Sequence, residues 1–180
     1  MRERQLRWFM EYKIEEHMSF TVCGMGIEIT KSQSTNMKMC RSFWIDFNKA
    51  LKANRLGQGG NWIKYAFTYK ENDKIYYFCA IPQGYKVPNG FQIKSIPNQL
   101  YLVCKHVGNM DTLKNTVNEI YKNIIPSNKL EPDKTHFSHF EKYDSDFYWN
   151  SPESVINIYV PVTEKSVHKG IGDIEYGNDI

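Results

Sequence analysis

The sequence predicts an α+β fold: a strand–helix–strand–strand unit used twice with pseudo-two-fold symmetry, antiparallel sheets and two long helices around a central cleft. Three observations predict it. Two stretches, 34–51 and 109–124, place apolar residues at helical spacing. Around each, runs rich in β-branched and aromatic residues follow one order, a strand before the helix and a hairpin after it. The two units, roughly 18–82 and 97–162, also share small echoes: Val22-Cys23 and Val103-Cys104 in the leading strands, Ile81-Pro82 and Val160-Pro161 closing the hairpins. Identity between the halves is otherwise negligible, so the repeat rests on element order. Two small antiparallel sheets, each covered by one helix, are the expected architecture.

The elements follow in order. Met18–Thr30 reads as a strand, with Gly24 and Gly26 suited to a bulge or strong bend. Ser34 or Thr35 caps a helix whose stripe is Met37, Cys40, Phe43, Trp44, Phe47 and Leu51. Gly57, Gly59 and Gly60 end it, one of them in the left-handed C-terminal position. Trp62–Tyr69 and Ile75–Ile81 flank a short polar loop and make a hairpin. Pro82 and Gly84 close it, and Val87–Ile96 reads as a connector. Gln99–Val107 is the next strand. Asn109 or Asp111 caps a second helix with the stripe Leu113, Val117, Ile120, Tyr121 and Ile124, and Pro126 stops it. Thr135–Tyr143 then pairs with Val155–Val162 across a long loop that carries Trp149. Residues 1–11 form a stub in which Leu6–Tyr12 is a docking helix or linker. Residues 12–162 form the domain, and the polar, glycine-bearing segment 163–180 is a loosely docked tail.

Composition bounds the function. At 180 residues the chain is one domain, or two very small ones sharing a core. Its mean hydropathy of −0.57 and lack of any long apolar run exclude a membrane span. The N-terminus lacks the pattern of a secretory signal, so a cytoplasmic protein is expected. Cys23, Cys40, Cys79 and Cys104 form no close cluster and read as buried, reduced thiols. The first seventy residues hold twelve basic and six acidic side chains, the last forty hold three and eight, and no basic stripe for nucleic acid emerges. Aromatic residues make up 14% of the chain. Tyrosine joins a flat apolar face to a polar tip, so this excess points to a concave aromatic surface.

Several motifs are bland. Gly57-Gln-Gly-Gly60 follows a helix and lacks the Lys-Ser/Thr of a phosphate loop, so it is a helix end. His136 and His139, three apart in a strand, point to opposite faces and cannot converge on one ion; no metal and no cofactor is expected. No nucleophile elbow is present. Glu141 stands apart. Alternation puts it on one strand face with His139 and Tyr143, with Phe140 and Lys142 on the other. It is either a surface residue of an edge strand or a buried or half-buried acid facing the aromatic cleft as a counter-charge.

With these residues in place the chain resembles the AraC-type effector-binding, or GyrI-like, small-molecule-binding domains. Phe140-Glu-Lys-Tyr-Asp144, Ser151-Pro-Glu-Ser154 and Ile158-Tyr-Val-Pro-Val162 are similar to that family's closing hairpin. Ile96–Tyr101 and Lys105–Gly108 resemble its fourth strand and the approach to its second helix, and Phe20–Gly24 resembles its first strand. The resemblance implies that Glu141 is the pocket glutamate, with Tyr101 and Tyr159 as pocket aromatics. Trp44, Trp62 and Tyr77 join them on position and chemistry. It implies a ligand that is bulky, aromatic and cationic.

Three functions follow. The favoured one is a stand-alone effector-binding module for such ligands, linked to transcription regulation or drug sensing and acting on a separate regulator. No room precedes residue 12 for a DNA-reading helix pair, so direct binding of nucleic acid is not expected. The resemblance also suggests a hydrolase that uses Glu141 as general base, or an inhibitor that binds a protein partner.

Overall fold

The computed structural model describes residues 10–57, 59, 62–84 and 86–165. Most of the expected stub and tail lies outside these residues. Strands β1 (Tyr12–His17) and β2 (Phe20–Ile29) precede helix α1 (Gln33–Ala53); β3 (Lys64–Glu71), β4 (Lys74–Pro82) and β5 (Gln92–Ile96) follow. Then β6 (Gln99–Val107) leads into α2 (Met110–Glu119), which continues through a π-helical turn (Ile120–Ile124) to a last helical turn (Ile125–Ser127). The strands β7 (Leu130–Pro132), β8 (His139–Tyr143) and β9 (Val155–Glu164) complete the chain.

The strands form one antiparallel sheet, β1-β6-β9-β8-β3-β4-β2-β5, with β7 added to β9. The expected two sheets are therefore one. Lys64–Thr68 of β3 pairs with His139–Tyr143 of β8 and joins the halves. Each of these strands would otherwise end its own hairpin with a bare edge, and pairing satisfies both edges at once. From the seam outward the two halves run in matching order, β3-β4-β2 on one side and β8-β9-β6 on the other.

Local chemistry explains the elements and corrects several expectations. The β3–β4 hairpin turns on Asn72 and Asp73 at φ 49° and 62°, left-handed values that these residues tolerate in a two-residue turn. Ser32 caps α1 by accepting from the Thr35 N–H, in place of Ser34 or Thr35. After the C-cap Asn54, Arg55 is the first residue in the left-handed region (φ 55°), ahead of Gly57 (φ 62°). Phe43, Phe47 and Leu51 are buried, while Met37, expected in the stripe, is 47% exposed. Pro126 does not stop the second helix. It sits in the first turn of the final helical segment, where its missing N–H does no harm.

Gly24 marks a close approach, not a bulge. The β2–β4 register runs unbroken from Val22 opposite Pro82 to Ile29 opposite Ile75. A Cβ on Gly24 would lie 2.0 Å from the Cys79 carbonyl oxygen and 2.7 Å from the Ala80 Cα. The expected connector 87–96 contains the edge strand β5, and Tyr12–His17, expected outside the first strand, is the edge strand β1. The expected strand 135–143 begins only at His139, so His136 lies in the loop before it.

Strand alternation sorts the core onto two faces. Both helices cover one face, burying Phe47, Leu51, Cys79, Leu102, Ile120 and Ile158. The other face holds an aromatic cluster in which Phe67, Phe78, Tyr101, Phe137, Phe140 and Tyr159 are buried. Phe140 and Tyr159 stack at 4.5 Å with an interplanar angle of 6°. Much of the aromatic excess therefore forms a second core.

Gly24→Ala tests the close approach. The added methyl forces backbone apart, so the variant should lose about 1–3 kcal/mol, the scale of overpacking, read as a lower urea midpoint at unchanged slope. A wild-type midpoint would show that β2 and β4 lie further apart than described.

Candidate functional site

Between α1, the start of α2 and the loop 144–154 lies a cavity of about 300 Å³. Helix α1 supplies Arg41, Trp44, Ile45 and Asn48, whose spacing places them on one helical face. Trp62 and Lys64 line it from the entrance to β3, Met110 from the first turn of α2, and Tyr143 from the end of β8. The loop contributes Phe147 and Trp149. Tyr143 packs edge-to-face against Trp44 (5.2 Å) and Phe147 (4.9 Å), a geometry favoured by the ring quadrupoles. The Trp44 Nε1–H donates to Tyr77 Oη at 2.9 Å.

Glu141 resolves into the buried alternative. It is 7% exposed and lies on β8, which is flanked by β9 and β3 rather than at an edge. The Tyr143 hydroxyl donates to Glu141 Oε2 at 2.5 Å, and His139 Nε2 lies 3.8 Å from Oε1. The carboxylate does not itself line the cavity; it stands behind Tyr143. Burial, and next the Glu141 charge, hold the Tyr143 and Tyr77 phenols well above their ordinary range. Tyr143 thus remains a protonated donor to the carboxylate. The same two causes push the Cys40 thiol up to about 11.

The loop is fastened by polar contacts around His106, which is 2% exposed. Its Nδ1 lies 2.7 Å from Thr116 Oγ1 and its Nε2 3.3 Å from the Asn109 carbonyl. Asn109 occupies the N-cap position of α2 but makes no side-chain cap bond. Oriented to satisfy its neighbours, its amide donates to the Asn150 and Ser151 carbonyls at 3.1 and 3.0 Å. The Gly108 N–H donates to the Ser154 carbonyl, and the Tyr148 N–H to Ser154 Oγ. These bonds hold the aromatic wall against α2.

The structure brings some of the expected residues together and separates others. Trp44 and Trp62 line the cavity, Tyr77 lies behind Trp44, and Glu141 behind Tyr143. Tyr101 and Tyr159 lie on the opposite face of the sheet, packed on Phe140. Their strand neighbours Leu102, Ile158 and Val160 take the helix side. Burial raises both phenols to about 12. Sequence reasoning left out Arg41, Lys64, Phe147 and Trp149. Their signal was the helical face 41-44-45-48 beside the buried stripe, and a polar loop rich in large aromatics.

Residues 13–162 match the model of the Cass2 family, integron-associated effector-binding proteins. The chain belongs to this family. The expected resemblance thus holds, and the protein is an effector-binding, small-molecule-binding domain. Among solved structures it is similar to SAV2435 bound to tetraphenylphosphonium, with TM-score 0.67, 16% identity, and 86% of this chain covering 94% of that one. It is similar to EcmrR in a DNA complex, with TM-score 0.57, 20% identity, and 87% of this chain covering 58% of that longer one. It also resembles an integron cassette protein from the mobile metagenome of Vibrio cholerae, with TM-score 0.55, 14% identity, and coverages of 84% and 95%. At such identities these likenesses establish the shared fold. No curated protein matches the sequence. Among the described residues of this effector-binding domain, no helix is long and apolar enough to cross a membrane.

His106 ties the stability of the fold to pH. Burial lowers its pKa below 6.5 in the folded state, so the unfolded chain binds the proton more readily. Stability is therefore full above that value and falls as pH drops through the folded pKa. Urea unfolding at about pH 7.5 and about pH 5 should show this loss in the wild type, and a smaller one in His106→Gln. An equal loss in both would assign the pH dependence to other groups.

Proposed function

We propose that this effector-binding domain takes bulky aromatic cations into the cavity, with Glu141 as buried counter-charge, and reports occupancy to a separate transcription regulator. One observation carries the reading: a carboxylate buried to 7% exposure stands directly behind the wall of an aromatic cavity. Among the described residues its ion-pair partner is His139 alone, at 3.8 Å. A desolvated carboxylate is costly to keep unless something pairs with it. Trp44, Trp62, Tyr143 and Trp149 offer ring faces and edges to a flat or propeller-shaped aromatic ligand. Cation–π contact with Trp44 or Tyr143, the rings of this set with no cationic side chain over them among the described residues, is worth about 0.5–2 kcal/mol each.

The relative bound to tetraphenylphosphonium supports the ligand class, and the relative in a DNA complex supports the link to transcription. The matching order of β3-β4-β2 and β8-β9-β6 supports a duplicated unit, with the cavity between the helix of one half and the helix of the other. The four free cysteines suit a reducing, cytoplasmic setting.

Glu141→Gln keeps the shape, and its amide oxygen still accepts from Tyr143, so the fold should persist. Tryptophan fluorescence titration should then show tetraphenylphosphonium weakened by about 2–5 kcal/mol, the cost of removing one partner of a desolvated charge pair. Neutral triphenylphosphine oxide should lose much less. Equal weakening of the two would mean that Glu141 shapes the cavity and does not read charge.

A further inference from the structure

The charges on the cavity wall are opposite to those a simple cation would require. Its lining includes two cationic side chains, Arg41 and Lys64, and no carboxylate. Neither cation has an ion-pair partner among the described residues. Each rests instead on a tryptophan of the same cavity, Arg41 Cζ at 5.6 Å from the Trp149 ring centre and Lys64 Nζ at 5.1 Å from that of Trp62. Lys64 Nζ also donates to Asn48 Oδ1 at 2.6 Å, which holds it at the wall. Burial lowers the Lys64 pKa, so its charge is kept at some cost that an incoming anion would offset.

Two features follow for the ligand. A cation stacking on Trp62 or Trp149 competes with side chains already there and is repelled by them. An acidic group at the same place meets a guanidinium and an ammonium whose hydrogen bonds are incompletely used, and charge-assisted bonds of this kind are the stronger ones. Glu141 remains the acid behind Tyr143, away from the lining. The site therefore has a buried negative pole and a positive pole on its wall, with aromatic rings between.

We propose that the ligand is amphoteric: an aromatic cation that also carries a carboxylate, sulfonate or phosphate, the acidic group being received by Arg41 and Lys64. This rests on the cation-binding reading above and narrows it. Anionic recognition by these two residues sets it apart from a preference for lipophilic cations in general.

A matched pair of dyes separates the two ideas. A rhodamine free acid is a zwitterion at neutral pH, whereas its methyl ester is a cation of nearly the same shape and greater apolarity. Fluorescence anisotropy with the intact protein should show the acid bound about tenfold more tightly, the scale of one charge-assisted hydrogen bond. Arg41→Met and Lys64→Met, singly and together, should weaken the acid while leaving the ester unchanged or tighter. Arg41 is solvent-exposed on α1, so its variant keeps the test valid should Lys64→Met fold poorly. If both dyes bind and the ester matches or exceeds the acid, or if the variants weaken both alike, the amphoteric ligand is wrong while the cation pocket stands. If neither dye binds the wild type, the pocket reading itself falls, and this inference with it.

Discussion

The pairing of β3 with β8 decides where Glu141 and Lys64, two of the three charged groups of the site, sit. It sets Ala66 opposite Glu141, Phe67 opposite Phe140 and Lys64 opposite Tyr143. Because side chains alternate along a strand, a slip of one residue would exchange the two faces. Glu141 and Tyr143 would then move into the aromatic cluster, and Phe140 would come under the helices. Phe67 and Phe140, 5.0 Å apart across the seam, lock the register from the dry side. Ala66, with its single methyl, adds little bulk opposite Glu141 on the other. The same seam puts Lys64 beside Tyr143 in the cavity wall. One register thus fixes the buried anion and one of the two wall cations.

Much of this was legible in the residues, and the misses have physical causes. Helical stripes and hairpins are local patterns, so α1, α2 and both hairpins could be read from periodicity. The edge strands β1 and β5 could not. Tyr12 and Ile14 are both 42% exposed and Ile93 is 49% exposed, so neither strand needs the apolar run that marks a buried one. The seam is non-local, and nothing in either strand names its partner. Glu141 stood out because it is a lone carboxylate in a run that includes Phe140 and Tyr143, where alternation assigns a face at once. Leu100–Cys104 is apolar throughout and offers no polar residue to label a face. The resemblance placed Tyr101 and Tyr159 with Glu141, and with no such label nothing in the residues signalled that both lie across the sheet from it.

The aromatic content served two purposes that composition alone cannot separate. On the helix-free face, Tyr101, Phe137, Phe140 and Tyr159 pack ring against ring and exclude solvent. On the helix face, Trp44, Trp62, Phe147 and Trp149 leave space between them. The difference lies in what covers each. Phe137 and Phe20 close over the first cluster from adjoining loop and strand. On the helix face α1, the start of α2 and the loop 144–154 stand around the cavity, and the loop supplies Phe147 and Trp149.

That division also separates rigidity from adaptability within the site. Tyr143, Glu141 and Lys64 belong to central strands and are held by the ladder of the sheet. Phe147 and Trp149 belong to a loop whose hold on α2 is a handful of polar bonds around Asn109 and Ser154, partly open to solvent. Local opening is cheapest where contacts are few and backbone bonds are exposed. Phe147 and Trp149 can therefore shift more readily than the carboxylate and the ammonium, which stay where the strands put them. In the proposed reading this would let the loop side of the cavity adapt to a ligand's outline while Glu141 and Lys64 hold their place, because loop and strands differ in stability.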